Sequence, residues 1–529
     1  MRINKYLYPL IIILLLIAGV FIRTVKFPDI PTGFNQDEAG SAYESYSLLE
    51  TGKDRWGNEL PAYFPSWGSG QNVLLAYLTM PFIKSYGLTI FSARIVSLLL
   101  GLLSLPLFYY CIRPLGKFSA WLGLLFLVSA PWHFMLSRWA LESNILPFFM
   151  LLGCTALSRA LYTGRKSWIM LCLIPFALSL YAYGTTIVVL PLFFILLLIL
   201  NFKRIQTAWQ SWLLSLAVFL CVSFPFLLFF VKNYILNRTI PWTDHLFFST
   251  PLLPSNRLQQ INKASWKAVL YENSRFALAG FDDGSDYNLL QGFNLLFAFA
   301  LPLAIIASII FIYQYYKNKS FIVNNQNSSD IILSIFFAWA VAATSLAFLF
   351  FLNVNRFNHF YLPCLVLAAW GIGFVLNTIK RKDIRRGLKL LVVAFIIIEN
   401  GLAIHYYFTA YPYGRIKEDF NTGLQEAFAV VNTLPTNQVW IDIEVSQAYT
   451  YTLFFLRYPP AKFQQDVNVE VVNGVYKVNQ FGRYVFYEEY LVKQKRYGYL
   501  SRKNAFPNSQ EHPKTVLFTN EYWEVGIRQ

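Results

Sequence analysis

The sequence predicts an α-helical polytopic membrane protein with a small α/β domain at its C-terminal end. Three observations lead to this fold class. The chain of 529 residues is 56% hydrophobic and only 14% charged, whereas soluble domains carry about a quarter charged residues. Its apolar residues are grouped in about eleven runs long enough to cross a bilayer. After residue 410 the apolar runs become short, and charged, aromatic and amide residues alternate.

The apolar runs set the predicted spans, because a membrane-crossing helix needs roughly 20 apolar residues. Such runs lie near 6–25, 90–112, 118–136, 143–163, 167–183, 185–201, 209–232, 291–316, 331–352, 359–379 and 387–408. The flank of the first run, FIRTVKFPD, lacks a small-residue cleavage site, so we expect an uncleaved helix rather than a signal peptide. Residues 1–410 are therefore predicted to form one transmembrane domain.

Basic residues predict the orientation, since Lys and Arg are enriched in cytoplasmic loops. With the N-terminus inside, the last inside loop, KRKDIRRGLK, alone holds six of them, and the short outside connections hold only Arg138 and Arg356. The net charge of +16 therefore reflects orientation and not a nucleic-acid site. The loops 28–89 and 233–290 and the tail are expected outside a plasma membrane, and 324–330 is expected in a cytoplasmic loop.

The tail, residues 411–529, predicts an extracytoplasmic α/β domain. EDFNTGLQEAFAVVNTL has helical spacing after a cap at Asp419 or Asn421, and Pro435 would end that helix. QVWIDIE predicts a strand, and TVLFTNEYWEVGIR predicts a strand pair around Asn520. The five cysteines of the chain all lie in apolar runs, so they predict neither disulfides nor a zinc site.

Four polar clusters are expected on the outside face. They are the start of the first loop, GFNQDEAGSAYE, then SAPWHFMLSRWALESN (129–144), NVNRFNHFYLP (353–363) and FDDGSDYN (281–288). The last resembles a calcium-binding loop only loosely, because it lacks a following Glu. In the first loop, AYESYSLLE has helical spacing and is expected to lie on the bilayer surface. The candidate residues are Asp37, Glu38, His133, Arg138, Glu142, Arg356 and His359.

A carboxylate and an arginine at the same membrane depth suit transfer from a lipid phosphate. A general base must lie within hydrogen-bond reach of an acceptor hydroxyl, and arginine binds phosphate bidentately. Because the lipid tail stays in the bilayer, such a site belongs at the membrane's outer edge. Asp37 would then activate the acceptor. The alternative is that Asp37 and Glu38 are simply solvated, since adjacent acids in an outside loop are common.

The stretches GFNQDEA, FSARIVSLLLGLLSLPLFYY, APWHFMLSRWALESN and NRFNHFYLP together resemble the GT-C membrane glycosyltransferases. The resemblance is to the protein-mannosyltransferase-like and aminoarabinose-transferase-like enzymes, and it covers roughly residues 1–410. It implies a GT-C fold. It also implies that a sugar passes, with inversion, from a polyprenyl- or dolichyl-phosphate donor to an extracytoplasmic protein, glycolipid or cell-envelope glycan.

The resemblance also implies roles for individual residues. Asp37 falls on the catalytic Asp of the first loop, with Glu38 as its supporting carboxylate. Glu142 falls on a second acidic position, but as one Glu rather than a spaced pair, which leaves a bound divalent cation (Mg or Mn) open. Arg356 falls on an arginine that meets the donor phosphate, followed by Phe357 where Tyr is usual.

Four further residues have more than one interpretation. Arg138 is a second candidate for the donor phosphate. His133 and His359 could bind donor or acceptor, or could be hydrogen-bonded residues at helix ends. Arg94 is a further candidate for the donor phosphate, but the simpler expectation is that it extends from its helix to the outer interface.

A transporter or lipid-linked-sugar flippase is the alternative function. Such proteins carry ionisable residues at mid-membrane, and Glu399 near the centre of the last span is a candidate. A Glu hydrogen-bonded to Asn400 or to a neighbouring helix is the simpler interpretation. The sequence shows no inverted repeat, which transporters often have. A scaffold that binds cell-envelope components is a third function class.

Overall fold

The computed structural model describes residues 6–66, 70–236, 265–317, 327–445, 447–472, 475–491, 496–505 and 513–528. The predicted loops 233–290 and 324–330 therefore lie partly outside the described residues. The described chain forms a helical bundle followed by a sheet-containing domain, which confirms the predicted fold class.

In the described residues, seventeen α-helices precede the tail. They are α1 (Leu7–Thr24), α2 (Gln36–Thr51), α3 (Leu74–Tyr86), α4 (Ile90–Ile112), α5 (Lys117–Ser129), α6 (Pro131–Leu136), α7 (Leu146–Thr163), α8 (Lys166–Leu171), α9 (Ile174–Ala182), α10 (Thr186–Gln206), α11 (Trp209–Phe230), α12 (Trp266–Leu278), α13 (Ala300–Lys317), α14 (Ser328–Thr344), α15 (Leu346–Leu349), α16 (Asn358–Thr378) and α17 (Lys382–Thr409). The first loop adds two short antiparallel strands, β1 (Tyr63–Phe64) and β2 (Gln71–Asn72).

Nine helical segments of the described chain are long and apolar enough to cross a membrane. They contain α1, α4, α7, α10, α11, α13, α14, α16 and α17. Two shorter apolar segments, α5 and the pair α8–α9, fall on the third and fifth predicted spans. The predicted positions of the spans are thus confirmed, and a total of eleven stays a prediction.

Two predicted spans have different bounds in the structure. The run predicted at 291–316 becomes helical only at Ala300, because Glu399 Oε1 accepts hydrogen bonds from Asn294 Nδ2 and Ala298 N, both at 2.9 Å, and holds the preceding residues in irregular structure. The run predicted at 118–136 is divided before Pro131, where α6 begins. Proline has no N–H to continue the helix.

The described residues of the tail form a sheet of seven strands, β3 (Val439–Asp442), β4 (Asn468–Val472), β5 (Val475–Phe481), β6 (Tyr484–Val485), β7 (Tyr497–Arg502), β8 (Lys514–Thr519) and β9 (Trp523–Arg528). The order of the strands in the sheet is β4-β5-β6-β3-β7-β9-β8. Its helices are α18 (Ile416–Asp419), α19 (Leu424–Val431), α20 (Ala448–Phe455) and α21 (Pro460–Asp466). Strand β3 is parallel to both β6 and β7, and the other pairings are antiparallel.

The local predictions for the tail are largely confirmed. QVWIDIE contains β3, and β8 and β9 pair antiparallel around Asn520, whose Oδ1 accepts from Tyr522 N and Trp523 N. The predicted helix is α19, but the prediction that Asp419 or Asn421 caps it is wrong. The N-cap residue is Gly423 in the left-handed region, with φ of 80°, where a glycine costs least. The domain boundary at residue 410 stays a prediction.

The first loop and the tail share one hydrophobic core. Phe34, Tyr43 and Leu88 pack with the buried residues of the tail. The Tyr43 hydroxyl donates to Tyr458 O (2.8 Å), and the hydroxyl of Tyr451 in α20 donates to Phe34 O (3.0 Å). The predicted helix α2 is therefore confirmed, but the expectation that it lies on the bilayer surface is wrong, because the tail covers it. We call this end of the bundle, where α1 ends and α4 and α16 begin, the domain face.

Candidate active site

The first turn of α2 places Asp37 at the domain face. Asn35 is the N-cap residue: its Oδ1 accepts from Asp37 N (2.9 Å), and its own N–H donates to Glu38 Oε2 (3.0 Å). This reciprocal capping box fixes the start of the helix. Asp37 is half-buried and lies in the turn where the helix dipole favours acidic side chains.

Glu38 is fully buried and forms a bidentate ion pair with Arg94 of α4. Arg94 Nε donates to Oε1 and Arg94 Nη2 donates to Oε2, each at 2.8 Å, and Ala140 N donates to Oε1 at 2.8 Å. With the bond from Asn35, both carboxylate oxygens are occupied. Glu38 thus joins the first loop, α4 and the segment after α6, and this geometry favours a positioning role beside Asp37 over direct catalysis.

Arg94 does not extend to the interface as expected. Its guanidinium is fully buried, and it donates to the carbonyl oxygens of Pro28 (2.6 Å), Pro31 (2.8 Å) and Gly33 (2.8 Å) as well as to Glu38. These carbonyls belong to the turn between α1 and α2. The ion pair and the carbonyl contacts compensate the buried charge, so Arg94 can stay inside the protein.

The structure gives Arg138 a role different from the predicted one. The side chain is fully buried, and it donates to the carbonyl oxygens of Ile22 (3.0 Å), Arg23 (2.8 Å), Val25 (2.7 Å) and Ile30 (3.1 Å). It therefore caps the C-terminal end of α1, where carbonyl groups lack helical partners. With these contacts in place, the guanidinium is not open to a donor phosphate.

The two histidines are also buried. His133 Nδ1 lies 2.7 Å from Arg23 Nη2. Because a guanidinium can only donate, Nδ1 accepts this hydrogen bond. His359 Nε2 lies 3.1 Å from Thr186 Oγ1. Both contacts fit the interpretation of hydrogen-bonded histidines at helix ends.

Glu142 and Arg356 are half-buried at the same face. Glu142 Oε2 accepts from Asn72 N at 2.6 Å, which links β2 to the segment before α7. Arg356 Nη1 donates to Phe351 O at 2.6 Å. Among the described residues the guanidinium of Arg356 has no further hydrogen bond and no ion pair, so it keeps several N–H donors for a ligand.

The fourth cluster joins the others through Asp283 and Tyr287. Asp283 Oδ2 accepts from Val354 N at 2.9 Å, which ties 281–288 to the loop of Arg356. The Tyr287 ring lies edge-on to Trp139, with centroids 5.9 Å apart. Burial and the negative charges of Asp283, Asp37 and Asp419 raise the pKa of Tyr287, so its hydroxyl stays protonated as a donor.

Two residues of this site were missed in the sequence. Tyr287 is the next-to-last residue of FDDGSDYN, a stretch in which the acids alone suggest a function. Asp419 was considered only as a helix cap, but it lies close enough to Tyr287 to act on its pKa. Burial and the charge of Asp286 raise the pKa of Asp419 itself. Acidic side chains of the first loop, the fourth cluster and the tail therefore act electrostatically on the same tyrosine.

The described residues do not fit a divalent cation held by protein ligands. No group of three or more His, Cys, Asp or Glu side chains is placed to hold a metal ion in the part of the chain that the structure describes. The acids of the FDDGSDYN loop accept hydrogen bonds from the protein instead: Asp282 Oδ1 from Gly284 N, Asp283 Oδ1 from Ser285 N, and Asp286 Oδ2 from Gln291 Nε2. We therefore derive no chemical step through a metal.

Glu399 has a contact that explains its place in the last span. It binds Asn294 and Ala298 ahead of α13, as described above, while Asn400 donates to Ser129 Oγ at 2.8 Å. Glu399 is thus hydrogen-bonded, as the simpler interpretation predicts, but its partner is the irregular segment before α13 and neither Asn400 nor a neighbouring helix.

Comparisons with known proteins bear on this fold. Residues 44–240 match the family model of dolichyl-phosphate-mannose-protein mannosyltransferases. No curated protein matches the chain. Among solved structures, ArnT from Cupriavidus metallidurans bound to undecaprenyl phosphate is similar, with a TM-score of 0.56 and 13% identity over 99% of this chain and 97% of that one.

Structures of an archaeal oligosaccharyltransferase are similar as well. AglB from Archaeoglobus fulgidus in complex with an inhibitory peptide and a dolichol-phosphate has a TM-score of 0.50 and 12% identity over 87% of this chain. The apo oligosaccharyltransferase of the same organism has a TM-score of 0.52 and 14% identity over 86% of this chain. This chain covers 61% and 64% of the length of these two structures.

The resemblance drawn from the sequence motifs is confirmed by the family model and by the shared fold. The likeness to ArnT extends over 99% of this chain, so it includes the candidate spans, the first loop and the C-terminal sheet domain. The chain is a multi-pass membrane protein with the fold of ArnT and AglB, and its residues 44–240 match the protein-mannosyltransferase family model.

Proposed function

We propose that this chain transfers a sugar, with inversion, from a polyprenyl-phosphate donor to an acceptor hydroxyl at the domain face, with Asp37 as general base. The domain face is expected to be extracytoplasmic, and the acceptor a protein, a glycolipid or a cell-envelope glycan. One observation carries the proposal: Asp37 stands half-buried at the start of α2, held by the Glu38–Arg94 pair, on the face where Arg356 and Tyr287 also lie. The polyprenyl phosphates bound to ArnT and AglB support the donor class.

The proposed reaction follows from the properties of these side chains. The Asp37 carboxylate takes the proton of the acceptor hydroxyl. The acceptor oxygen attacks the anomeric carbon on the face opposite the phosphate, so the new C–O bond forms as the sugar–phosphate C–O bond breaks. The polyprenyl phosphate leaves with the bonding electron pair. The unengaged N–H groups of Arg356 stabilise the charge that develops on it, and the protonated Tyr287 hydroxyl donates to a sugar or phosphate oxygen.

The test compares wild type, Asp37→Asn and Asp282→Asn in lipid nanodiscs supplied with membrane-extracted polyprenyl-phosphate sugars and acceptors. Asp282 is a matched control, because it is an exposed aspartate whose turn an asparagine preserves. Release of free polyprenyl phosphate should fall about 10²- to 10⁴-fold in Asp37→Asn and stay unchanged in the control. A chelator should leave release unchanged. Full activity of Asp37→Asn would refute the assignment of the base.

A further inference from the structure

A second feature of the domain face is a cleft of about 580 Å³ between the first loop, the α3–α4 connection and the tail. Its volume lies within the roughly 300–1,000 Å³ of small-molecule sites. The cleft is separate from the candidate active site, and neither Asp37 nor Arg356 lines it. Phe34 and Phe420 separate the cleft from the candidate active site. Phe34 N donates to Phe420 O, and the Arg94 guanidinium lies 5.7 Å from the ring centroid of each.

The cleft opens where the membrane-spanning helices end. Pro28, just after α1, and Leu88–Ile90, where α4 begins, form one wall. Beside this wall the rings of Phe27 and Tyr86 pack edge-on against Phe91, at centroid distances of 6.0 and 5.3 Å. Aromatic residues concentrate at membrane–water interfaces. The cleft is therefore at the level of lipid headgroups.

The rim of the cleft carries charges of both signs. Asp29, Glu426 and Arg457 line it, and all three are exposed. Within the described residues none of the three forms an ion pair or a side-chain hydrogen bond. A ligand with one negative and one positive group would find a partner for each.

The inner wall of the cleft contains polar atoms that lack partners. Asn421 is only 6% exposed; its Nδ2 donates to the Tyr451 hydroxyl at 2.8 Å, while its Oδ1 has no hydrogen-bond partner among the described residues. The same holds for the neighbouring Thr422 Oγ1. Buried polar groups are seldom left without a partner, because the loss of hydration is costly. Both residues line the cleft, so a ligand that donates and accepts hydrogen bonds would supply the partners that these two atoms lack.

We infer that this cleft binds the headgroup of a zwitterionic, amine-bearing phospholipid. The phosphate binds Arg457 and accepts from the Thr422 hydroxyl. The ammonium group lies between the carboxylates of Asp29 and Glu426 and donates to Asn421 Oδ1. The acyl chains remain in the bilayer next to Phe27 and Phe91. A trimethylammonium headgroup carries the same charges but has no N–H to donate, so the cleft should discriminate against it. This inference does not depend on the proposed glycosyl transfer.

The test is native mass spectrometry of the full chain released from nanodiscs of equal parts phosphatidylethanolamine, phosphatidylcholine and phosphatidylglycerol. Wild type should retain phosphatidylethanolamine about tenfold more often than phosphatidylcholine, which matches the loss of one hydrogen bond to a charged group. Arg457→Gln and Glu426→Gln should each reduce this preference to near unity. Both residues are exposed and unpaired, so their substitution should leave the melting temperature unchanged.

Arg275→Gln is the control, because Arg275 is an exposed arginine outside the cleft that is already paired with Glu272. It should keep the wild-type preference. Equal retention of the ethanolamine and choline lipids by wild type would overturn the inference. So would a preference for phosphatidylglycerol, or a preference that survives both cleft substitutions.

Discussion

Two groups of charged side chains meet at the domain face, and they differ in how fully their hydrogen-bonding capacity is used. Glu38, Arg94 and Arg138 are completely buried, and carboxylate, backbone amide and carbonyl partners satisfy them. Asp37 and Arg356 are only half-buried, and most donors of Arg356 stay available. Asp37 and Glu38 are neighbours in the chain, yet they belong to different groups.

The difference shows how similar residue types serve as framework or as candidate reactive groups. A buried charge is tolerated only when it is paired and hydrogen-bonded, so the buried group fixes the positions of the loops. A half-buried charge stays hydrated and can exchange water for a substrate. We therefore expect substitutions in the buried group to act on stability, and substitutions in the half-buried group to act on the reaction.

Removal of Arg94 should have the largest effect on stability. Arg94→Met leaves the Glu38 carboxylate buried without its counter-charge, which costs about 3–5 kcal/mol. Thermal unfolding in detergent should show a large fall in melting temperature. The control is Lys417→Gln, which removes an ion pair with the exposed Glu521 and should change the melting temperature little.

A double mutant separates the ion pair from the rest of the framework. Glu38→Leu combined with Arg94→Met removes both charges, so it should be more stable than Arg94→Met alone. Equal or lower stability of the double mutant would mean that the carbonyl contacts of Arg94, and not the ion pair, hold the first loop.

Substitution of Arg356 should change the KM for the donor, whereas substitution of Arg138, the other arginine predicted to bind the donor phosphate, should change the melting temperature. Arg356→Gln removes the unengaged donors, and the KM for the polyprenyl-phosphate donor should rise about tenfold or more while the melting temperature stays near that of wild type. Arg138→Gln should lower the melting temperature, because carbonyl groups at the end of α1 lose their donors. If instead Arg138→Gln raised the KM and Arg356→Gln lowered the melting temperature, Arg138 would be the phosphate ligand and Arg356 the structural residue.

Asp54 belongs to a buried site in which two carboxylates, Asp54 and Glu44, lie beside one arginine, Arg55. It lies fully buried in the first loop near Glu44, which pairs with Arg55, and burial together with the Glu44 charge raises the pKa of Asp54 from 3.8 to about 7. The folded state therefore holds a proton that the unfolded state has lost between about pH 4 and pH 7. The stability that the protonated Asp54 carboxyl contributes to the folded state is complete below about pH 4 and is lost as the pH rises to about 7.

Melting temperatures measured across this pH range check the prediction. Wild type should lose stability as the pH rises, and Asp54→Asn, which cannot ionise, should show a smaller pH dependence. Asp282→Asn serves as control and should follow wild type. Identical pH profiles for wild type and Asp54→Asn would show that other groups govern the pH dependence.

Sequence reasoning located the loops of the candidate site better than the roles of their residues. Apolar runs and basic loops are properties of long segments, so the spans and the convergence of the four polar clusters could be predicted. The roles of Arg94 and Arg138 could not, because their carbonyl partners lie at the end of α1 and in the turn that follows it, far from them in the chain. The same limit applies to α2, whose burial depends on a tail some 400 residues away.

The smallest effect is expected for Glu399→Gln, which also tests the alternative of a transporter or flippase. The glutamine Oε1 can still accept from Asn294 and Ala298, so release of polyprenyl phosphate should stay within about twofold of wild type. Glu399→Leu removes this acceptor and should lower the melting temperature, because a backbone N–H and an amide lose their partner. If wild type instead showed proton-coupled transport and Glu399→Gln abolished it, the functional carboxylate would be Glu399 inside the membrane and not Asp37 at the domain face.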